Sequence, residues 1–345
     1  MAIDWTRGWD ATWRLFRVDP ATFSDTSLSR DVDTASIDRT ADALLESGSL
    51  TVTRDPGEGF DPGYYRIVVV AAQGTRRERV ELATLWCVSN SGKLDHGTDV
   101  LSVDGRSVLW PASRRKMLAG TYAPRGVDGA EYAGSLLGEC IHAPVSVEGS
   151  FALADHVVFD LGCTYLDAVW LLLEAGGYCM QLDGHGTVHI RPMPTEIATT
   201  ISGDNVRLLM PGVSHTEDTA EMPNQYTAVL DGLTVTVTND DAGSPVSTIA
   251  RGYVDDEVDT SPKLLEDETL AAYANRMLEQ RSVSGVSYGY SREWVPDVHP
   301  NSLIHLRLPR DAIDETMRVT RQRLACGRGI KVTEEASTEV RLWER

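Results

Sequence analysis

Several groups of residues have types and spacings that chemistry could use. Gly285-Val-Ser287-Tyr-Gly289 matches the Gly-x-Ser-x-Gly signature of serine hydrolases. Those enzymes hold the serine on a sharp turn, with a strand before it and a helix after it. Here helical periodicity comes first and period-two alternation follows, so Ser287 reads as a strand residue. His185 and His189, with Asp183 nearby, have the makings of a two-histidine, one-carboxylate metal site. Both imidazoles flank a turn and no third firm ligand is marked, so solvated hairpin residues are expected. Asp255-Asp-Glu-Val-Asp259, ahead of Ser261-Pro262, lacks the alternating ligands and turn glycine of a calcium loop and reads as a solvated loop. His299-Pro300-Asn301 reads as a turn that introduces a strand from Leu303 to Leu308. Arg318, Arg321, Arg323 and Arg328 form the one basic patch. They lack the interleaved aromatics of a nucleic-acid site and are expected to pair with an acidic face of a neighbouring subunit. Gly-x-Gly-x-x-Gly, phosphate-loop and His-Glu-x-x-His patterns are missing. No catalytic, cofactor-binding or metal-binding residue is therefore assigned, and no enzyme is expected.

Composition narrows the partners. The formal net charge is −19, from 51 acidic and 32 basic residues. That balance repels phosphate backbones and anionic membranes, yet it would let DNA slide past without sticking. The N-terminus shows no secretory pattern, and the apolar run from Val169 to Leu173 is far too short to span a bilayer, so no stable membrane insertion is expected. The five cysteines (Cys87, Cys140, Cys163, Cys179, Cys326) are scattered without a Cys-x-x-Cys pair. Buried free thiols and synthesis in a reducing cytosol follow.

The elements that must position these residues divide the chain in three. Residues 1–115 read as a small antiparallel barrel or sandwich. Trp13–Val18 and Ser49–Thr53 are strands, the latter stopped at Asp55-Pro-Gly57, and Tyr64–Ala72 with Arg79–Val88 forms a hairpin. Residues 116–195 read as an inserted α/β domain. It has a helix at Glu131–Cys140, a second helix capped by Thr164 and ended by Gly176-Gly177, and a hairpin turning at Asp183-Gly184. Residues 196–345 return to strands as a second barrel. Leu233–Thr238 is expected to pair with Val246–Val254, and a helix spans Glu266–Gln280. Val286, Tyr288, Tyr290, Arg292 and Trp294 then alternate, and strands follow at Met317–Leu324 and Ile330–Leu342. Within that barrel, residues 255–298 read as a helix-containing subdomain. The fold class is mixed α+β, mainly β, with two small antiparallel β-barrel domains around an inserted α/β domain.

Six stretches, in this order, resemble the baseplate hub (tail hub) proteins of long-tailed bacteriophages. They are Ser47-Gly-Ser-Leu-Thr-Val52, Tyr64-Tyr-Arg-Ile-Val-Val69, Phe159–Trp170, Gly177–Gly184, Met222–Gly232 and Arg292–Leu303. The resemblance implies a homotrimer in which two similar barrels per subunit give a quasi-sixfold ring. That ring joins the sixfold tail tube to a threefold tail tip and passes the genome through its centre. It also implies distal tail or tail-tube, tape measure and tip or fibre proteins as partners, no cofactor, assembly in the host bacterial cytoplasm, and a place in the virion tail. Some relatives carry a trailing hydrolase or receptor-binding module. This sequence stops at Arg345 after its last strand, so wall cleavage is expected of another protein. The alternatives are a tail-associated peptidoglycan hydrolase using Ser287 or the histidine pair, and a receptor-binding tail protein reading glycans with Trp5 and Trp9.

Overall fold

Period-two alternation dominates the chain and gives it its class: 51% of residues are strand and 15% helix. The computed structural model describes residues 3–5, 7–54, 60–95, 98–118, 120–202, 213–217, 219, 222–230, 232–260, 262 and 268–341. The Asp55-Pro-Gly57 turn, Ser261, and the helix start at Glu266 lie outside the described residues. Two compact units form, Met1–Gly212 with Tyr290–Ala336, and Val213–Gly289 with Ser337–Arg345. This division follows contacts rather than the segments 1–115, 116–195 and 196–345.

The first unit opens with β1 (Asp10–Val18), β2 (Asp25–Asp31), β3 (Thr34–Thr40), β4 (Glu46–Arg54), β5 (Gly63–Gln73), β6 (Arg76–Asp95) and β7 (Thr98–Ser107). The β5–β6 hairpin turns at Gly74, whose φ of 61° suits glycine. Between the register pairs Ile67↔Ala83 and Val68↔Glu81, Leu82 is an extra residue, a β-bulge. The bulge explains why Val80 faces inward at an even position and Ala83, Leu85 and Cys87 at odd ones. Next come α1 (Trp110–Arg114), β8 (Tyr122–Ala123), α2 (Gly129–Gly138), β9 (Val145–Val147), β10 (Val157–Val158), α3 (Tyr165–Gly176), β11 (Tyr178–Leu182), β12 (Val188–Pro192) and β13 (Ile197–Ser202). Thr164 caps α3 in a reciprocal box with Asp167, and Gly177 ends it in the left-handed region at φ 66°. Helices α2 and α3 and the β11–β12–β9 sheet bury a core that includes Leu137, Leu172, Leu173, Met180 and Ile190.

The second unit holds β14 (Ser214–Glu217), β15 (Gln225–Leu230), β16 (Leu233–Thr238), α4 (Thr248–Arg251), β17 (Asp256–Asp259) and α5 (Leu270–Arg281). The expected pairing of Leu233–Thr238 with Val246–Val254 does not occur. β16 pairs with β15 across a tight turn at Gly232, and Ser247 caps the short α4 where the second strand was expected. Adjacent strands close with less loop entropy, and a serine cap followed by Gly252 favours a helical turn. Helix α5 lays Leu270, Tyr273, Ala274, Met277 and Leu278 on Tyr226, Ala228 and Val237.

Strand β18 (Val283–Glu293) leads back into the first unit, followed by β19 (Leu303–Leu308), β20 (Ile313–Cys326) and β21 (Ile330–Arg341). There the strand order is β21-β20-β3-β4-β7-β6-β5-β1-β2, with β13 on β19 and β19 on β20. Strand β20 pairs through Ile313–Arg318 with β19 and through Arg321–Cys326 with β3. Among the described residues no sheet closes into a barrel by strand pairing. The reason is that β20 takes the free edge of β3, which a barrel built from residues 1–115 alone would need for closure. The sheet curls nonetheless. Trp13 and Leu15 of β1 share one core with Leu324 and Val332 of β20 and β21, and the Trp13 indole donates to the Gly327 carbonyl at 2.6 Å. Among the described residues three pairings (β9–β12, β13–β19, β15–β17) are parallel, so the sheets are mainly but not wholly antiparallel.

Candidate functional site

The residues singled out above are held apart. Ser287 lies in β18 opposite Thr216, with α5 before it and strand continuing to Glu293, so no nucleophile elbow forms. His185 Nδ1 lies 3.0 Å from Glu81 Oε2, and His189 Nε2 lies 3.0 Å from Asp183 Oδ2. The two imidazoles thus serve different carboxylates. Among the described residues no group of three or more His, Cys, Asp or Glu side chains is arranged to hold a metal. Trp5 stands edge-on between Trp9 and Trp294, at centroid distances of 5.2 and 5.1 Å, which engages the tryptophans internally.

The acidic run is a correction: four of its five residues form strand β17, parallel to β15, rather than a loop. Asp256 accepts from the Thr227 hydroxyl at 3.0 Å, and Glu257 pairs with Arg281 at 3.0 Å. Asp259 accepts from the Tyr273 and Tyr226 hydroxyls at 2.6 and 3.3 Å. Burial, together with Tyr273 and Asp259, pushes the Tyr226 phenol up. The basic patch also divides. Arg318 donates to the carbonyls of Pro194 and Asn301 at 3.1 and 2.8 Å. Arg321 and Arg323 stay exposed beside Asp38, and Arg328 sits on the β20–β21 turn.

Three buried arginines, missed as such in the sequence, organise the first unit. Arg66 on β5 is 1% exposed. Its guanidinium meets Asp25, Thr84 Oγ1 (3.1 Å), the Phe23 carbonyl (3.1 Å) and the His185 carbonyl (3.0 Å). The β11–β12 turn is thereby fastened to β6 and to the β1–β2 loop, and Thr84 adds a contact to the Gly184 carbonyl at 3.0 Å. Arg39 on β3 donates to Glu46 Oε1 at 3.0 Å and to the Leu82 carbonyl that the bulge releases, and it lies 3.4 Å from His299 Nδ1. Burial raises the Glu46 carboxyl to about 7 against the pull of Arg39, and burial with Arg39 lowers His299 to about 3. Arg292 on β18 grips Glu334 of β21 with two donors, at 3.0 and 2.5 Å, and both side chains have 0% exposure. Tyr290 and Gln322 Nε2 donate to the same carboxylate. Such charges survive burial only because nearly every donor finds an acceptor. The arrangement performs positioning: it clamps strands and a turn that are remote in sequence.

Gly184 tests the first clamp, because a Cβ there would overlap the backbone carbonyl of Glu81. Gly184→Ala should cost about 1–3 kcal/mol, as overpacking does. Faster proteolysis of the 193–196 connection than in the parent would register the loosened turn. An unchanged melting temperature and cleavage rate would contradict the docking.

The sequence matches no protein-family model and no curated protein. In fold it is similar to the tail protein from Neisseria meningitidis MC58, with a TM-score of 0.65 and 16% identity over 96% of this chain and 97% of that one. The 43 kDa tail protein of prophage MuSo2 from Shewanella oneidensis gives 0.63 and 14%, over 95% of this chain and 98% of that one. The chain has the fold of phage tail proteins. That tail-protein fold also matches a chain of the Francisella PdpA–VgrG complex, at 0.58 and 9% identity, over 96% of this chain and 58% of that one. At these identities the likeness is one of fold, and the buried arginines are described for this chain alone.

Proposed function

We propose that the chain is a structural virion protein, the homotrimeric hub of a phage tail baseplate. The observation that carries the reading is the near end-to-end match, over 96% and 97% of the two chains, with the Neisseria tail protein. In this reading, residues 1–115 and 196–345 supply two barrel-like regions, the latter with a helix-containing subdomain at 255–298, and residues 116–195 are the insert between them. Three copies would then present six similar regions to a sixfold tail tube and a threefold face to the tail tip. Closed symmetry suits a chain with exposed sheet edges, since a ring buries edges that would otherwise invite open-ended association. The charge of −19 suits a wall past which DNA slides during ejection. The partners are the distal tail or tail-tube protein, the tape measure protein and tip or fibre proteins. Assembly occurs in the host cytoplasm, the role is structural rather than enzymatic, and no cofactor takes part. Light scattering on the chain purified with its distal tail partner should give three copies of this chain per complex. Negative-stain images should show a ring with an open centre. One copy per complex, or a closed globule in intact particles, would end this reading.

A further inference from the structure

A cleft of about 410 Å3 opens in the first unit where the N-terminal segment meets the β20–β21 turn. That volume lies toward the lower end of the roughly 300–1,000 Å3 usual for ligand sites. Its wall carries Arg7, Arg328 and Lys331 against one acidic residue, Glu293, with Trp9 as the aromatic face and Ala325 of β20 beside them. Arg7 is offset by Asp4 at 3.1 Å, while Arg328 has no ion pair or hydrogen bond among the described residues. The frame is rigid. Trp9 is braced edge-on by Trp5, Trp5 by the buried Trp294, and the turn by the Trp13 bond to Gly327. A basic hollow held open in a chain of net charge −19 asks for an anion.

The sheet beside the cleft gives that anion a shape. Arg321, Arg323 and Ala325 stand on one exposed face of β20 at period two, about 7 Å apart along the strand. The two arginine side chains remain solvent-accessible, at 51% for Arg321 and 62% for Arg323, while they share Asp38 at 3.7 and 3.9 Å and Arg323 donates to Ser36 Oγ at 3.3 Å. An extended peptide has the same repeat. A segment with a carboxylate at every second residue therefore meets Arg321, Arg323 and the cleft in turn. A nucleic-acid strand fits less well, because Trp9 is the cleft's one aromatic residue and Trp5 already packs against it, which leaves no row of stacking platforms.

We propose that this cleft and the outer face of β20 form a binding site for an extended acidic segment of a neighbouring protein. Only the notion that the neighbour is a tail component rests on the hub reading. The test uses the full chain and a labelled short peptide alternating glutamate and serine, followed by fluorescence anisotropy. Saturable binding that weakens as salt rises is expected. Arg328→Glu should reduce affinity about tenfold and Arg323→Glu about threefold, while Arg307→Glu, the same charge change on β19, should alter it less than about twofold. These positions are exposed, and near-UV circular dichroism would verify that each variant keeps its packing. Absence of saturable binding, equal loss with Arg307→Glu, or tighter binding of an oligothymidylate of matched length would overturn the site. Peptide binding by a chain that enters its complex with the distal tail partner as a single copy would leave this proposal standing while removing the hub.

Discussion

Replacing Arg292 by alanine is expected to destabilise the chain by about 3–5 kcal/mol, the usual cost of stranding one partner of a buried pair. The carboxylate of Glu334, with no exposed surface, would lose both guanidinium bonds and keep only the donors of Tyr290 and Gln322. Two neutral donors do not offset the missing positive charge in a low-dielectric interior. The triple change Tyr290→Phe, Arg292→Met and Glu334→Leu removes charge and counter-charge together. It should recover most of the loss, because an apolar core of similar volume is often as stable as the ion pair it replaces. Gln322 would still donate to the Val298 carbonyl at 3.0 Å. Urea unfolding followed by tryptophan fluorescence gives the comparison through the midpoint at constant slope. A shift under about 1 kcal/mol for Arg292→Ala would mean that water reaches the pair.

Arg292 also shows where the sequence was readable and where it was not. Its period-two spacing with Tyr288, Tyr290 and Trp294 marked a strand, and that face is the buried one. The same alternation said that an arginine points inward, but its counter-charge lies 42 residues away on another strand, and nothing local names it. Local signals served well elsewhere: the Thr164 cap, the hairpin of Tyr64–Ala72 with Arg79–Val88 and the helix α5 all depend on neighbours in sequence. Partner choice did not follow from them. Leu233–Thr238 carried the same propensity toward either flanking segment, and the Gly232 turn decided it. The β3–β20 pairing joins residues such as Ala35 and Cys326 from opposite ends of the sequence, so the barrel expected from the first 115 residues had no warning that a distant strand would occupy its edge. Asp255–Asp259 misled for a related reason. The carboxylates of Asp256, Glu257 and Asp259 are satisfied by Thr227, Arg281, Tyr273 and Tyr226, which no acidic run announces. The charged clamps are tertiary facts, set by which strands meet.

The Arg39 cluster should add almost no pH dependence to stability in a window where each of its members alone would give a slope. Glu46 rises from 4.5 to about 7 on folding, so between those values the folded chain holds a proton that the unfolded chain has released. Taken alone, that contribution is full below pH 4.5 and is lost as pH climbs through 7. His299 falls from 6.5 to about 3, so between those values the unfolded chain holds the extra proton. Its contribution is full above pH 6.5 and is lost as pH drops through 3. From about pH 4.5 to 6.5 the two differences cancel: folding moves one proton from the imidazole to the carboxyl without net uptake. The charged groups facing them are Arg39 on β3, Asp183 on the β11–β12 turn and, for His299, Arg191 on β12. His299→Gln keeps an acceptor for Arg39 and removes the imidazole's contribution, so stability relative to the parent should decline as pH rises from about 3 to 6.5. The limiting slope is about 1.4 kcal/mol per pH unit. Glu46→Gln removes the carboxyl's contribution and should give the opposite tilt, rising relative to the parent from pH 4.5 to about 7. Subtracting the parent's profile of urea midpoints removes the titrations that all three proteins share. Two variant profiles parallel to the parent's would show that neither group changes its proton affinity on folding, and two tilts of the same sign would show that Arg39 does not separate them.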